Sequence, residues 1–472
     1  MNQENPSVFA VLVSVFFFWG FVAAGNDILI PVFKEALDLN NWQSQLINFA
    51  FYFAYSVGAI LYISHAAWSK KDIVSRMGYQ HSIALGLIVS AVGTLLFIPA
   101  AIYNSYFLLI FGLFIVGLGF SLQQTAANPF AIKLGNPSGG SQRLSLAGGV
   151  NNIGTTIGPL ILAYAIFGLV TDEVSAKDVK IESVKMAYLY LGLAFFAVAM
   201  LFYLSGRKKK YFPGKEAENN EQAISTSSKK LFSFPQLIFG MFGIFCYVGV
   251  EVATAGNLGA YIKEEVAGMG EGNIAPFVAL YWASLMIGRW VSAASVFSNK
   301  NNKNKHLAMK IILPFAAFFL FIGVTYIAGY NVKPFFIYLF VIPIIIIADL
   351  LSKDNPVTQL LIFSTLGICS LLIGMLTTGL FSVFAFISVG LFCSTLWPCV
   401  FTLATHKLGD YTTKGSSLLI LMIMGGAFIS LFQGVLADID WIGVRYSYFA
   451  GVACFLYLAF YALKMKKIYS SN

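Results

Sequence analysis

A polytopic, all-α membrane protein is the fold class this sequence predicts, and three observations predict it. Of the 472 residues, 58% are hydrophobic and only 11% are charged, with a mean hydropathy of +0.77. A soluble surface needs roughly a quarter of all residues charged, so lipid must solvate most of this one. Apolar runs recur at about the 20-residue length that a bilayer core requires. Basic residues cluster in short segments between alternate runs, the signature of loops on the cytoplasmic side.

Taken in order, apolar spans fall near 8–33, 44–65, 79–101, 104–132, 145–169 and 186–206. The segment MNQENPSVFA before the first span has no basic residues, and the span ends in Asn26-Asp27 instead of a small-residue cleavage site. A retained first helix is therefore expected, not a signal peptide. After residue 206 comes RKKKYFPGKEAENNEQAISTSSKK, charged and without apolar periodicity, which reads as a solvated linker. Further spans follow near 235–262, 274–298, 307–329, 335–350, 357–376, 378–405, 413–437 and 444–466. Lys70-Lys71, Lys133 with Arg143, Lys208–Lys210, Lys300–Lys305 and Lys464 with Lys466-Lys467 mark one side. The positive-inside rule puts that side, both termini and the linker in the cytoplasm of a multi-pass protein of the bacterial inner membrane.

The halves resemble one another. Ala24-Gly25-Asn26 recurs as Ala255-Gly256-Asn257, and Lys133-Leu134-Gly135 recurs as Lys407-Leu408-Gly409. The two offsets, 231 and 274, differ by 43 residues, so the second half carries an insertion between its first and fourth helices. The short runs 307–329 and 335–350 have the right length and place. The expected organisation is a six-helix half over 1–206, a linker over 207–232, and a second half over 233–472 with an inserted hairpin at about 307–350. Parallel six-helix repeats are a transporter plan in which the substrate binds between the repeats.

Net charge is +9, but its dispersal among membrane loops argues for anionic lipid and not nucleic acid as the partner. The five cysteines (Cys246, Cys369, Cys393, Cys399 and Cys454) lie in apolar runs without metal-ligand spacing and read as small hydrophobes. No phosphate-binding loop, nucleophile elbow or histidine pair is present, so neither an enzyme nor a bound cofactor is expected.

An ionisable group in hydrocarbon is costly, which makes each one a functional candidate. Asp27 and Glu251 sit at corresponding places in the first and seventh spans. Arg289 reads as a helix-end base, and Asp349 as interfacial. Sugar hydroxyls both donate and accept, so amides, carboxylates and aromatic faces suit a sugar site. Asn48, Gln123, Asn128, Asn151, Glu251 and Gln433 are the polar candidates; Tyr281, Trp282 and Trp397 are the aromatic ones. Asn26, Asp27 and Gln124 are further polar candidates within the apolar spans. Pro129, Pro159 and Pro398 are placed to break or kink their helices.

The blocks FFFWGFVAAGNDILIPVFKEAL, NFAFYFAYSVGAI, LQQTAANPF, NNIGTTIGP, CYVGVEVATAG, YWASLMIGRW and GGAFISLFQGVLAD resemble the fucose/glucose–galactose symporter family of the major facilitator superfamily. The resemblance implies two six-helix halves, alternating access and import of a sugar with a cation. It puts the coupling aspartate on Asp27, which with Asn26 and Gln124 is then expected to handle the coupling cation and to serve as a ligand if that cation is sodium, and it puts a sugar-contacting asparagine on Asn151. A fourth-helix acid of the proton-coupled fucose carriers falls on Gln124, an amide, and a nearby family glutamine on Gly148. Glucose, galactose or mannose is therefore expected over fucose, with sodium preferred over protons and the monomer as the working unit. A drug or metabolite exporter on the same fold is the alternative.

Overall fold

The computed structural model describes residues 6–69, 73–103, 105–134, 140–167, 181–208, 233–266, 273–292, 303–353, 355–408 and 412–470. Most of the 207–232 linker lies outside these, as do Lys70, Lys71 and Lys300 among the basic loop residues. In hydrocarbon every backbone N–H and C=O must be satisfied within the chain, which for this composition leaves helices. The first half supplies α1 (Pro6–Ala36), α2 (Asn41–Ser69), the short α3 (Ile73–Met77), α4 (Tyr79–Leu95) continued by α5 (Phe97–Ile102), α6 (Tyr106–Lys133), α7 (Gly140–Phe167) and α8 (Ile181–Lys208). The second half supplies α9 (Pro235–Glu265), α10 (Ala275–Ser292), α11 (Lys303–Ile327), a 3-10 segment (Lys333–Phe340) running into α12 (Ile342–Ser352), and α13 (Pro356–Leu376). It closes with α14 (Gly379–Cys393) and α15 (Leu396–Thr405), α16 (Thr412–Leu421) and α17 (Gly425–Ala437), then α18 (Gly443–Ser447) and α19 (Phe449–Ser470). Among the described residues, twelve helical stretches are long and apolar enough to cross a membrane. Gly140–Phe167 and Ala275–Ser292 are helices outside that set.

Close helix approaches repeat between the halves. A Cβ on Gly117 (α6) would meet the Phe51 carbonyl oxygen of α2 at 2.5 Å, and one on Gly390 (α14) would meet the Tyr281 carbonyl oxygen of α10 at the same distance. Gly58 faces Ser121 just as Gly288 faces Ser394. Both pairs relate α2 to α10 by an offset of 230 and α6 to the α14 region by 273, which again differ by 43. Likewise α4 packs on α6 and α8, while α13 packs on α14 and α19. So α10 is the second helix of the repeat and α13 the third, and the extra α11 and α12 fall between them. At the prolines, α6 and α7 continue through Pro129 and Pro159, and the helix breaks between α14 and α15 just before Pro398.

The chain forms two compact units that exchange segments across the sequence halves. One comprises Met1–Gly20, Phe49–Gly154 and Lys180–Ser233; the other comprises Phe21–Asn48, Thr155–Val179 and Phe234–Asn472. In the second unit the joined ends of α1 and α2 are tied down by polar contacts. Asp438, just past α17, accepts from the Asn41 and Trp42 backbone N–H groups at 2.8 Å each, capping the first turn of α2. Lys263 pairs with Glu35, and Arg445 with Glu265.

Asp349, near the end of α12, is 2% exposed, with Lys310 Nζ at 2.7 Å from Oδ2. Ser292 Oγ and Gln359 Nε2 donate to its Oδ1 at 2.9 and 3.1 Å. This cluster fastens α11 and α12 onto α10 and α13. Burial of this kind is not reported by hydropathy along the chain.

Candidate functional site

Asp27 lies midway along α1 in the second unit and is 2% exposed. Trp282 Nε1–H of α10 donates to its Oδ2 at 2.8 Å, and the Asn48 side chain of α2 is its other hydrogen-bond partner. Both partners are neutral. Asn48 Nδ2 also donates to Gln45 Oε1 at 3.3 Å. Gln45 Nε2 in turn reaches the Gly256 carbonyl oxygen at 3.0 Å and Asn257 Oδ1 at 3.3 Å. The groups placed on this carboxylate are N–H donors, which stabilise its ionised form. The side chain of Asn26 is outside the described residues.

Glu251 stands one turn and a half before Asn257 on α9 and is half-buried. Its Oε2 is enclosed and has no hydrogen-bond partner among the described residues, while Tyr247 hydrogen-bonds the carboxyl group and the Arg289 charge attracts it. An enclosed acceptor without a donor costs on the order of 1–3 kcal/mol, which a hydroxyl from a ligand would recover. Tyr281 O–H donates to the Glu251 main-chain oxygen at 2.8 Å, and its ring meets that of Trp282 edge-on at 5.6 Å. Trp397 packs 6.1 Å from Tyr247. Five of the candidates, Asp27, Asn48, Glu251, Tyr281 and Trp282, thus belong to one connected cluster, with Trp397 joined through Tyr247.

Gln433 is placed differently. It is 1% exposed and donates to Ser447 Oγ at 3.3 Å, tying α17 to α18.

The remaining candidates lie in the first unit. Gln123 is fully buried, accepting from Trp19 Nε1–H at 3.0 Å and donating to Ser90 Oγ at 2.9 Å. That is a pin between α1, α6 and α4. Gln124, one residue on, is half-buried and donates to Tyr55 O–H at 3.3 Å. Asn128 is half-buried on the same helix. Asn151 donates to the Phe16 carbonyl oxygen at 2.9 Å. The missing side chains of Gly148 and Gly149, three and two residues before it, leave open space. Gln45, Asn257, Tyr247 and Lys310 carry contacts of this kind without having been singled out in the sequence. The Ala-Gly-Asn repeat did contain Asn257, but as a marker of duplication only.

The chain matches the Major Facilitator Superfamily over residues 12–351. It belongs to the Major Facilitator Superfamily. As a superfamily member it is a multi-pass membrane transporter and not an enzyme. It is similar to a glucose/galactose transporter of Brucella abortus, 32% identical over 454 residues, covering 96% of this chain and 92% of that protein. A putative glucose/galactose transporter of Helicobacter pylori is 31% identical over 470 residues, with 98% of each covered. An L-fucose-proton symporter of Escherichia coli is 27% identical over 447 residues, covering 91% and 86%. Among solved structures, the E. coli fucose:proton symporter matches with a TM-score of 0.62 at 24% identity, covering 98% of this chain and 99% of that one. A D-xylose-proton symporter matches with 0.63 at 12%, covering 98% and 97%. At those identities the structures attest the superfamily fold.

Proposed function

We propose that this transporter imports a hexose such as glucose or galactose together with a proton, by alternating access. The observation that carries the reading is Asp27, buried in the membrane domain with two neutral N–H partners and next to the aromatic cluster that holds Glu251. A carboxylate held this way can take up and release a proton with a large change in local electrostatics. A relative named a proton symporter supports the proton over the sodium ion that the sequence favoured. Names of the glucose/galactose relatives support the hexose.

In this reading a sugar hydroxyl satisfies Glu251 Oε2 while Trp282, Tyr281 and Trp397 cover the apolar face of the ring. Protonating Asp27 removes a charge whose burial opposes closure, so the loaded carrier can occlude and change sides. Halves 1–206 and 233–472 act as the moving bodies, as a monomer, with both termini and the linker in the cytoplasm.

Counterflow in proteoliposomes tests the substrate: the carrier is preloaded with unlabelled sugar and offered labelled glucose, galactose, mannose or fucose. Exchange of glucose or galactose, weakened in Glu251→Gln, is expected. Exchange of none of these sugars would reject the assignment.

A further inference from the structure

Four buried polar groups form an uninterrupted line from α9 to Asp27. Asn257, Gln45 and Asn48 are each 1% exposed. Asn257 Nδ2 donates to the Ala253 carbonyl oxygen at 2.9 Å, which leaves its Oδ1 turned to Gln45. The Gly256 carbonyl oxygen can only accept. Gln45 must therefore turn its NH2 group to α9 and its Oε1 back to Asn48. Asn48 must in turn present N–H groups, one to Gln45 and the other to Asp27. The backbone of α9 thus sets the direction of every hydrogen bond up to the carboxylate. Gly256 is required for this approach, since a Cβ there would lie 2.4 Å from Asn48 Nδ2 and 2.9 Å from Gln45 Oε1.

Resting on the reading of Asp27 as the coupling acid, we propose that Gln45 is its positioning residue, orienting Asn48 toward Asp27 only while α2 is packed on α9. When these helices part, Gln45 loses both α9 acceptors and its amide is free to turn. Asn48 then loses the contact that fixes which of its atoms faces the carboxylate. Asp27 consequently has different partners in the packed and parted states. Such a state-dependent interaction is what any ligand must have in order to shift a conformational equilibrium.

Purified Gln45→Leu, Asn257→Ala and Asp27→Asn proteins in proteoliposomes test this, with sugar counterflow and proton-gradient-driven accumulation measured on each. Gln45→Leu is expected to keep counterflow while its accumulation ratio falls about tenfold, a typical coupling magnitude. Asn257→Ala, which removes one of the two α9 acceptors, should show the same split with a smaller loss. Full accumulation by Gln45→Leu, alongside its loss in Asp27→Asn, overturns the role of Gln45 alone. Parallel loss of counterflow and accumulation in Gln45→Leu assigns it a purely structural part and also overturns the proposal. Should Gln45→Leu fail to fold, Asn257→Ala decides, and undiminished accumulation there is a rejection. Undiminished accumulation by Asp27→Asn would remove the coupling reading itself.

Discussion

Asp27 on α1 and Asp349 on α12 are both 2% exposed in the same unit, yet their surroundings differ in kind. Asp349 has a lysine at 2.7 Å, a serine and a glutamine, so its charge is neutralised and both of its oxygens have donors. Asp27 has an indole and an amide, both neutral. A buried carboxylate that is fully paired is fixed in one charge state and serves packing. One with neutral partners keeps a choice of state, because neither form is locked by an opposite charge. Under the proposed function, the contrast is between an acid that serves packing and one that serves coupling, which position along the chain alone does not distinguish.

Asp27→Asn gives the largest expected effect on function: the accumulation ratio collapses to about one, the value of uncoupled equilibration, as measured by sugar uptake against a gradient. Lys310→Met should be the largest effect on stability, leaving Asp349 buried without its cation at a cost of roughly 3–5 kcal/mol. Thermal unfolding in detergent reads that loss. Lys310→Met combined with Asp349→Leu should recover most of it, and coupling per folded molecule should stay at the wild-type level. If Lys310→Met altered the coupling ratio instead, the two acids would not differ as described.

Glu251→Gln keeps the shape but removes the charge that a sugar hydroxyl would meet. Charge-assisted hydrogen bonds contribute about 1.5–3 kcal/mol, so sugar affinity should fall roughly ten- to a hundredfold in a binding titration. Asp438→Ala is the mildest change. It deprives the first turn of α2 of its cap, and a stability loss of about 1 kcal/mol is expected in the same unfolding measurement.

Much of the fold was legible because hydrocarbon permits so few backbone structures. The insertion was legible too: sequence offsets of 231 and 274 anticipated the contact offsets of 230 and 273. Asp27 stood out as an acid within an apolar run. What the sequence hid was pairing over distance. Trp282 lies 255 residues from Asp27, and Lys310 follows a basic loop closely enough to pass for part of it. Gln123 and Gln433 have the chemistry of a sugar site, but Ser90, Trp19 and Ser447 engage them internally. Amide chemistry serves packing and recognition equally well, and only the partners tell the two apart.

The most direct test is hexose uptake into proteoliposomes with a proton gradient and a sodium gradient imposed separately, for the wild type and Asp27→Asn. Accumulation driven by protons alone, and absent in Asp27→Asn, is the predicted result. Accumulation driven by sodium alone, or persisting in Asp27→Asn, would contradict the account.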